Sequence, residues 1–503
     1  MNTRMLDIMA RALRTGGRVL AASFILAALW TLAAACHITD VSNPDIVPTE
    51  GLNDPLALPT IRAGAIGDFG IAYTGSGASG SGGTVEGQIL ASGMLGDEWI
   101  NTETFPDRVQ ADARQTDPAS ATFTTIFRNL ARSNVSGMGA AAKFAQLSDT
   151  IRNTGLSEML SLAAYSRLFF AENYCSGVPL SYPNPDGTVK FGAQNTTAQM
   201  LDSALLVFNH ALAAAVQLND STGGKATVIR LARVGKARTL LDMGLIADAD
   251  TVVSAANVPT SFAYSILHDL NTTRQQNGVY NGIKKFERYG VANREGGVGI
   301  PWRDTTQLDP RTPFTRAGTP ANPTARNNVG FDNNTPQYDQ LRYVDEKASM
   351  TLATGLEARL INAEAALRRG DTAAYLTFLN DLRATPPSYI LAGVQWTTTP
   401  NALPNPVSPM SALATPASDT AAVSQLFNER ARWLWATGHR LNDMRRLVRA
   451  AGVRGGFGRA VNSVFPNGPY FKNGLVYGTD VNFPLPLDEQ NNPGVTGCLD
   501  RLP

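Results

Sequence analysis

A mainly α, helical-repeat scaffold carrying one loop-rich, irregular half is the architecture this sequence predicts, and three observations predict it. Apolar residues recur at helical spacing through much of 121–266 and again through 346–451. Between them, residues 267–345 lose that period and gain Gly, Pro, Asn and aromatic side chains. Late in the chain, arginines and carboxylates are threaded through an apolar helical stripe, a pattern that requires paired charges inside a partly buried hairpin. Helices of this size, joined in pairs by short turns, stack into a tetratricopeptide-like array. No Trp…Leu-Gly…Tyr series recurs, so the repeat is read from period alone.

The chain opens with a leader. Arg4, Arg11, Arg14 and Arg18 precede Val19–Leu32, an apolar run of about fourteen residues, the length of a signal-peptide core and short for a bilayer span. Ala33, Ala34 and Ala35 then precede Cys36, and this junction resembles a bacterial lipobox. Its leucine, Leu32, stands four residues before the cysteine instead of three. The expected organisation is a signal peptide over 1–35, an acylated Cys36 heading a tether over 36–60, and one body over 61–503. Plain cleavage after Ala35 is the alternative. Pro44, Pro48, Pro55 and Pro59 favour an extended backbone for the tether.

Ile61, Ala65, Phe69 and Ala72 mark a first amphipathic helix, with Pro59 near its start. Gly75-x-Gly77-x-x-Gly80 matches a dinucleotide-binding pattern formally, but no βαβ pattern surrounds it and Ser81-Gly82-Gly83 cannot open a phosphate-binding helix. It reads as a flexible loop. Over 87–115 no long apolar period is present, and Asp97, Glu98, Trp99, Asn101, Arg108 and Asp112 cluster. Adjacent carboxylates such as Asp97 and Glu98 point apart, whereas a glycosidase pair flanks its bond from separate elements.

Three helices come next: Leu156, Leu160 and Ala163 on to Phe170; Leu201, Leu205, Phe208, Leu212 and Val216; and Leu231, Val234, Leu241 and Leu245. Beyond the irregular stretch, Leu352, Leu356, Leu360, Ala363 and Leu367 predict another, and Tyr375, Phe378, Leu379 and Leu382 its partner. A Pro-rich loop over 386–416 carries Trp396, and 452–503 forms a C-terminal segment. In the charged run, Val423, Phe427, Ala431 and Leu434 face inward, Gly438 breaks the helix, and Leu441, Met444, Leu447 and Val448 line a second one. Glu429 reaches Arg432 at i+3, and Asp443 reaches Arg440 and Arg446.

Composition excludes several functions. Lys and Arg number 43 against 42 Asp and Glu, leaving no basic surplus for nucleic acid. His37, His210, His268 and His439 are too scattered for zinc, and no HExxH, GxSxG or CxxC occurs. No metal or cofactor is expected. Cys175 and Cys498 remain once Cys36 is acylated, and an exported chain favours pairing them, with free buried thiols as the alternative.

Glu429-Arg430-x-Arg432, Gly438-His439-Arg440 and Asp443-x-Arg445-Arg446 together resemble the late charged segment of the SusD/RagB family. So do Leu162–Leu180, Ala232–Ala249 and the closing Asn482-Phe483-Pro484-Leu485-Pro486 with Asn491-Asn492-Pro493-Gly494. The resemblance reaches from Cys36 to Cys498 in short blocks. It implies a non-enzymatic outer-membrane lipoprotein, facing the cell exterior, that passes a nutrient oligomer to a SusC-like TonB-dependent transporter. Glycan is the favoured cargo over peptide. The charged hairpin locks helices to their neighbours, and the irregular half carries the ligand face. There the expected ligand residues are Trp99, Asn101, Arg108, Tyr289 and Trp302, with Tyr338 and Trp396 in reserve, since aromatic rings offer rigid apolar faces. A scaffold lipoprotein that binds only envelope proteins is the second reading, and the long aromatic insert argues against it. Mass spectrometry of the mature N-terminus is expected to find a diacylglyceryl-modified Cys36; an unmodified cysteine there ends the anchor hypothesis.

Overall fold

The structure, a computed structural model, describes residues 51–503 apart from 79–83, 150–152, 185, 187, 220–222, 307, 317–327 and 393–405. Cys36, the leader and Trp396 therefore lie outside the described residues. The chain divides into Met1–Ala57 and Leu58–Pro503. Gly51–Asn53 and Pro55–Ala57 of the first form short 3-10 turns. The second unit carries the α-helices of the described residues.

These helices pack on one another largely in chain order. Leu58–Thr74 buries Ala65, Phe69, Ala72 and Tyr73 and packs on Ala121–Leu147, whose first turn is capped by the Ser120 hydroxyl accepting from the Phe123 amide. Gly155–Asn173 comes next and is buried along almost its whole length, making it the axis of the bundle. Thr197–Val216 starts with a reciprocal Thr196–Gln199 capping box, and Gly224–Met243 packs against it. These helices approach closely because glycine and alanine line the seams. A Cβ on Gly235 would lie 2.2 Å from the Phe208 ring, which itself stands edge-on to Tyr165. Gly244, at φ +83°, then turns the chain into Ile246–Val252.

The second helical block holds Gly355–Arg368 and Thr372–Ala384, capped by Thr354 and Asp371. The sequence places Leu352 on the first of these helices; the structure corrects this. The Thr354 hydroxyl accepts from the Glu357 amide, so the helix begins after it. Met350–Thr354 is instead a strand, paired antiparallel with Ala263–Ile266. The remaining strands are also short two-stranded ladders, notably Trp99–Asn101 with Tyr289–Val291 and Phe314–Arg316 with Tyr338–Gln340. A mainly α scaffold of stacked helix pairs with a loop-rich half is thus the observed architecture.

Asp419–Trp433 and Arg440–Val448 form the charged hairpin. Its partners differ from those the i+3 spacing predicts. Glu429 pairs with Arg311 at 2.6 Å and Arg383 at 2.9 Å, and accepts from the Trp433 indole, instead of turning to Arg432. Asp443 is gripped at 2.9 Å on both oxygens by Arg430 and meets Arg446 at 3.4 Å. Among the described residues, Arg440 is not one of its hydrogen-bond donors. Arg446 continues to Glu364 on the Gly355–Arg368 helix. Arg238 holds Glu172 at 2.5 and 2.7 Å and reaches the His439 ring at 2.7 Å. Long-range pairing wins because these side chains are buried, and a buried charge must find a counter-ion wherever the fold supplies one.

Cys175 and Cys498 are joined by a disulfide with a Cα–Cα distance of 5.8 Å. Beside it the Cys175 amide donates to the Phe483 carbonyl and the Phe483 amide to that of Asn173, both at 2.8 Å. The C-terminal segment is thereby sewn onto the end of the central helix. Asp443→Ala strips the shared carboxylate from two buried guanidiniums. It is expected to cost about 3–5 kcal/mol of stability, read as a lowered urea midpoint; a loss well under about 1 kcal/mol, the scale of an exposed ion pair, contradicts the pairing described.

Candidate binding cleft

The aromatic residues singled out in the sequence converge, but inward. Trp99 is 0% exposed and Trp302 2%, and both rings pack on Trp435, at 5.5 and 6.2 Å between centroids. The Trp99 indole donates to the Ile89 carbonyl and sits so close to the Gln88–Leu95 helix that a Cβ on Gly93 would lie 2.3 Å from its nitrogen. The Trp302 indole donates to the Asp97 carbonyl. Asn101 is buried too: its amide oxygen accepts from the Glu103 amide and from Lys472. Tyr289 is fully buried, its hydroxyl on Glu86 at 2.7 Å. These four side chains present no face to a ligand here, because large rings in an aperiodic segment still gain most by burial. Tyr338 is half-buried under the Arg303 guanidinium, 4.0 Å from its centroid.

Arg108 is the exception. It borders a cleft of about 300 Å³, together with Ala78, Thr84, Val85, Glu86, Phe105, Ala121, Thr122, Thr125 and Arg288. The pairing of Trp99–Asn101 with Tyr289–Val291 creates this neighbourhood, since the Asn101↔Tyr289 register sets Arg288 beside the loop that follows Asn101. Pro106 then opens the Pro106–Asp112 helix, which presents Arg108 from its first turn. Arg108 reaches Glu103 at 2.7 Å and Glu86 at 3.3 Å, and Arg288 lies 3.6 Å from Glu103. Glu86 also accepts from the Thr84 hydroxyl at 2.9 Å. Burial pushes the Glu103 carboxyl up to about 7, against the pull of Arg108. At the rim, Phe105 is 48% exposed with the Arg108 guanidinium 4.9 Å from its centroid. The cleft can hold a small polar ring against one aromatic face and two guanidinium edges. Sequence reasoning missed Glu86, Glu103, Phe105 and Arg288. Glu103 and Phe105, five and three residues before Arg108, carry a local signal; Arg288 is brought in by strand register.

Glu98 has a structural task. It accepts from the amide of Ala436, a non-glycine residue at φ +59°, at 3.0 Å. Arg342 donates to the Trp435 carbonyl and Tyr343 to that of Ala436, so the hairpin turn is clamped from several sides.

No family model matches the sequence, and no curated protein matches it. Solved structures do. A SusD superfamily protein from Bacteroides vulgatus is similar with a TM-score of 0.57 at 12% identity, over 89% of this chain and 99% of that one. A SusD/RagB family protein from Bacteroides thetaiotaomicron gives 0.56 at 14%, over 86% and 94%. A SusD-like carbohydrate binding protein from Bacteroides vulgatus gives 0.56 at 12%, over 88% and 97%. The class defined by the helix pairs and the irregular half is thus a helical-repeat scaffold with a loop-rich half. In particular, the fold is that of SusD/RagB superfamily proteins, over nearly the whole chain.

Burial pushes the Glu98 carboxyl up from 4.5 to about 7, against the Ala436 amide and Arg440. A carboxyl with a higher pKa folded than unfolded binds its proton more tightly in the fold. Its contribution is therefore full below about 4.5 and is lost as pH rises through about 7. Glu98→Gln keeps the acceptor for Ala436 and cannot ionise. The melting temperature of the native chain is expected to fall relative to that of this variant between pH 5 and pH 8; a pH-independent difference refutes the ionisation.

Proposed function

We propose that this protein is a lipid-anchored, surface-facing outer-membrane protein that captures a nutrient oligomer, glycan in preference to peptide, and delivers it to a SusC-like TonB-dependent transporter. Binding, not catalysis, is the task. The observation that carries the reading is the near full-length likeness to SusD/RagB structures, one of them a SusD-like carbohydrate binding protein. The leader over 1–35, followed directly by Cys36, supports export and anchoring. The cleft supports capture of a small polar group, since its volume of about 300 Å³ stands at the lower end of the range typical of small-molecule sites. Of the five expected ligand residues, Arg108 is the one retained, joined by Phe105 and Arg288.

Thr125 lines the cleft, and its hydroxyl only returns to the Ala121 carbonyl of its own helix. Thr125→Trp therefore fills the cleft without touching the ion pairs beneath. On glycan and peptide arrays followed by calorimetry, the native chain is expected to bind an oligosaccharide and this variant to bind it roughly tenfold or more weakly, about 1.4 kcal/mol, with an unchanged melting temperature. Undiminished binding by the variant places capture elsewhere. Co-purification with a large barrel from outer membranes supports the transporter partner. Recovery with other envelope proteins and no glycan or peptide bound favours the scaffold reading.

A further inference from the structure

The cleft's charges are already matched. Arg108 and Arg288 face it, and beneath them Glu103 lies 2.7 Å from the first and 3.6 Å from the second. Glu86 lies 3.3 Å from Arg108 and is itself held by the Tyr289 and Thr84 hydroxyls. Above about pH 7, the value to which burial pushes the Glu103 carboxyl, two guanidiniums thus stand over two carboxylates. Glu86 and Glu103 are both almost completely buried, so solvent screens them little. An incoming carboxylate or sulfate would have to add a third negative charge within reach of these two, or displace one from its arginine. Either costs more than the exposed guanidinium edges return, because breaking a buried pair leaves an uncompensated charge. A hydroxyl meets no such conflict: it donates and accepts, and finds cationic N–H groups beside the hydroxyls of Thr122 and Thr125. The Phe105 ring at the rim offers an apolar face for a ring's C–H side.

Resting on the carbohydrate-capture reading, we infer that this cleft selects a neutral, hydroxyl-rich sugar residue over one bearing a carboxylate or sulfate, with Glu86 and Glu103 as the residues that exclude the anion. They act through the arginines they neutralise and are positioning residues. The size of the cleft fits one ring of a chain, the remainder lying across the adjoining surface.

The test is calorimetric titration of the full mature chain at pH 8.5, where Glu103 is ionised, with two sets of hexasaccharides. Maltohexaose, xylohexaose and mannohexaose are neutral; hexagalacturonate and a chondroitin sulfate hexasaccharide are acidic. The tightest neutral ligand is expected to bind at least tenfold more strongly than either acidic one, and an acidic ligand of equal or greater affinity overturns the inference while leaving glycan capture intact. Glu103→Gln removes one negative charge from beneath both arginines and is expected to shrink the neutral-to-acidic ratio at least tenfold. A folded variant with an unchanged ratio also overturns it; if the variant does not fold, the titrations of the native chain decide alone. Binding to neither set in these titrations or on a wider glycan array removes the capture reading, and this inference with it.

Discussion

The pairing of buried arginines with distant carboxylates is the constraint on which the rest of this fold depends. Arg430 and Arg446 share Asp443 within the hairpin, but Arg446 also reaches Glu364, and Glu429 reaches out to Arg311 and Arg383. Arg238 and Glu172 form a further pair beside His439. Each charge is costly to bury alone, so the hairpin cannot shift without unpairing several at once. It is therefore held against the central helix, the Gly355–Arg368 helix and the irregular insert together. An apolar interface of the same area would have tolerated sliding; a charged one sets a single register.

That register propagates to the cleft. The turn of the hairpin carries Trp435 and Ala436, and Glu98 binds the Ala436 amide while Trp99 packs on Trp435. The strand Trp99–Asn101 is thereby placed, and Tyr289–Val291 pairs with it. Arg288 and Glu103 then meet as a consequence. A polar recognition surface on loops is made rigid by a core of ion pairs and tryptophans behind it, which limits the ordering cost of binding.

How much of this was legible depends on the distance over which each feature is specified. The scaffold helices were readable because a 3.6-residue period reports burial within a single element. The hairpin was readable as a charged, buried unit, but its partners were not: i+3 geometry offered Arg432 to Glu429, whereas Arg311 lies 118 residues away in sequence. Leu352 was assigned to a helix because it continues the apolar period, and the Thr354 cap decided otherwise. Export favoured pairing Cys175 with Cys498 but left free thiols open, and the disulfide is present. Trp99 and Trp302 were expected at a ligand face because aromatic rings offer rigid apolar faces to a ligand; here the irregular backbone instead turns those rings into the same core that the scaffold helices share.

Arg108 survived as a cleft residue for a reason that separates it from the tryptophans. A guanidinium can be neutralised by Glu103 and Glu86 on its inner side and still present an outer edge to solvent, while an indole gains by burying both faces. The same difference separates the two kinds of charge in this molecule. In the hairpin the carboxylates of Glu429 and Asp443 are each buried and met by two guanidiniums. In the cleft the network is open on one side, with hydroxyls and a phenyl ring at its margin. Its rigidity and its openness come from the same pairing: the glutamates that hold Arg108 and Arg288 in place also cancel the charge that would otherwise draw an anion, leaving hydrogen-bonding direction as the means of recognition.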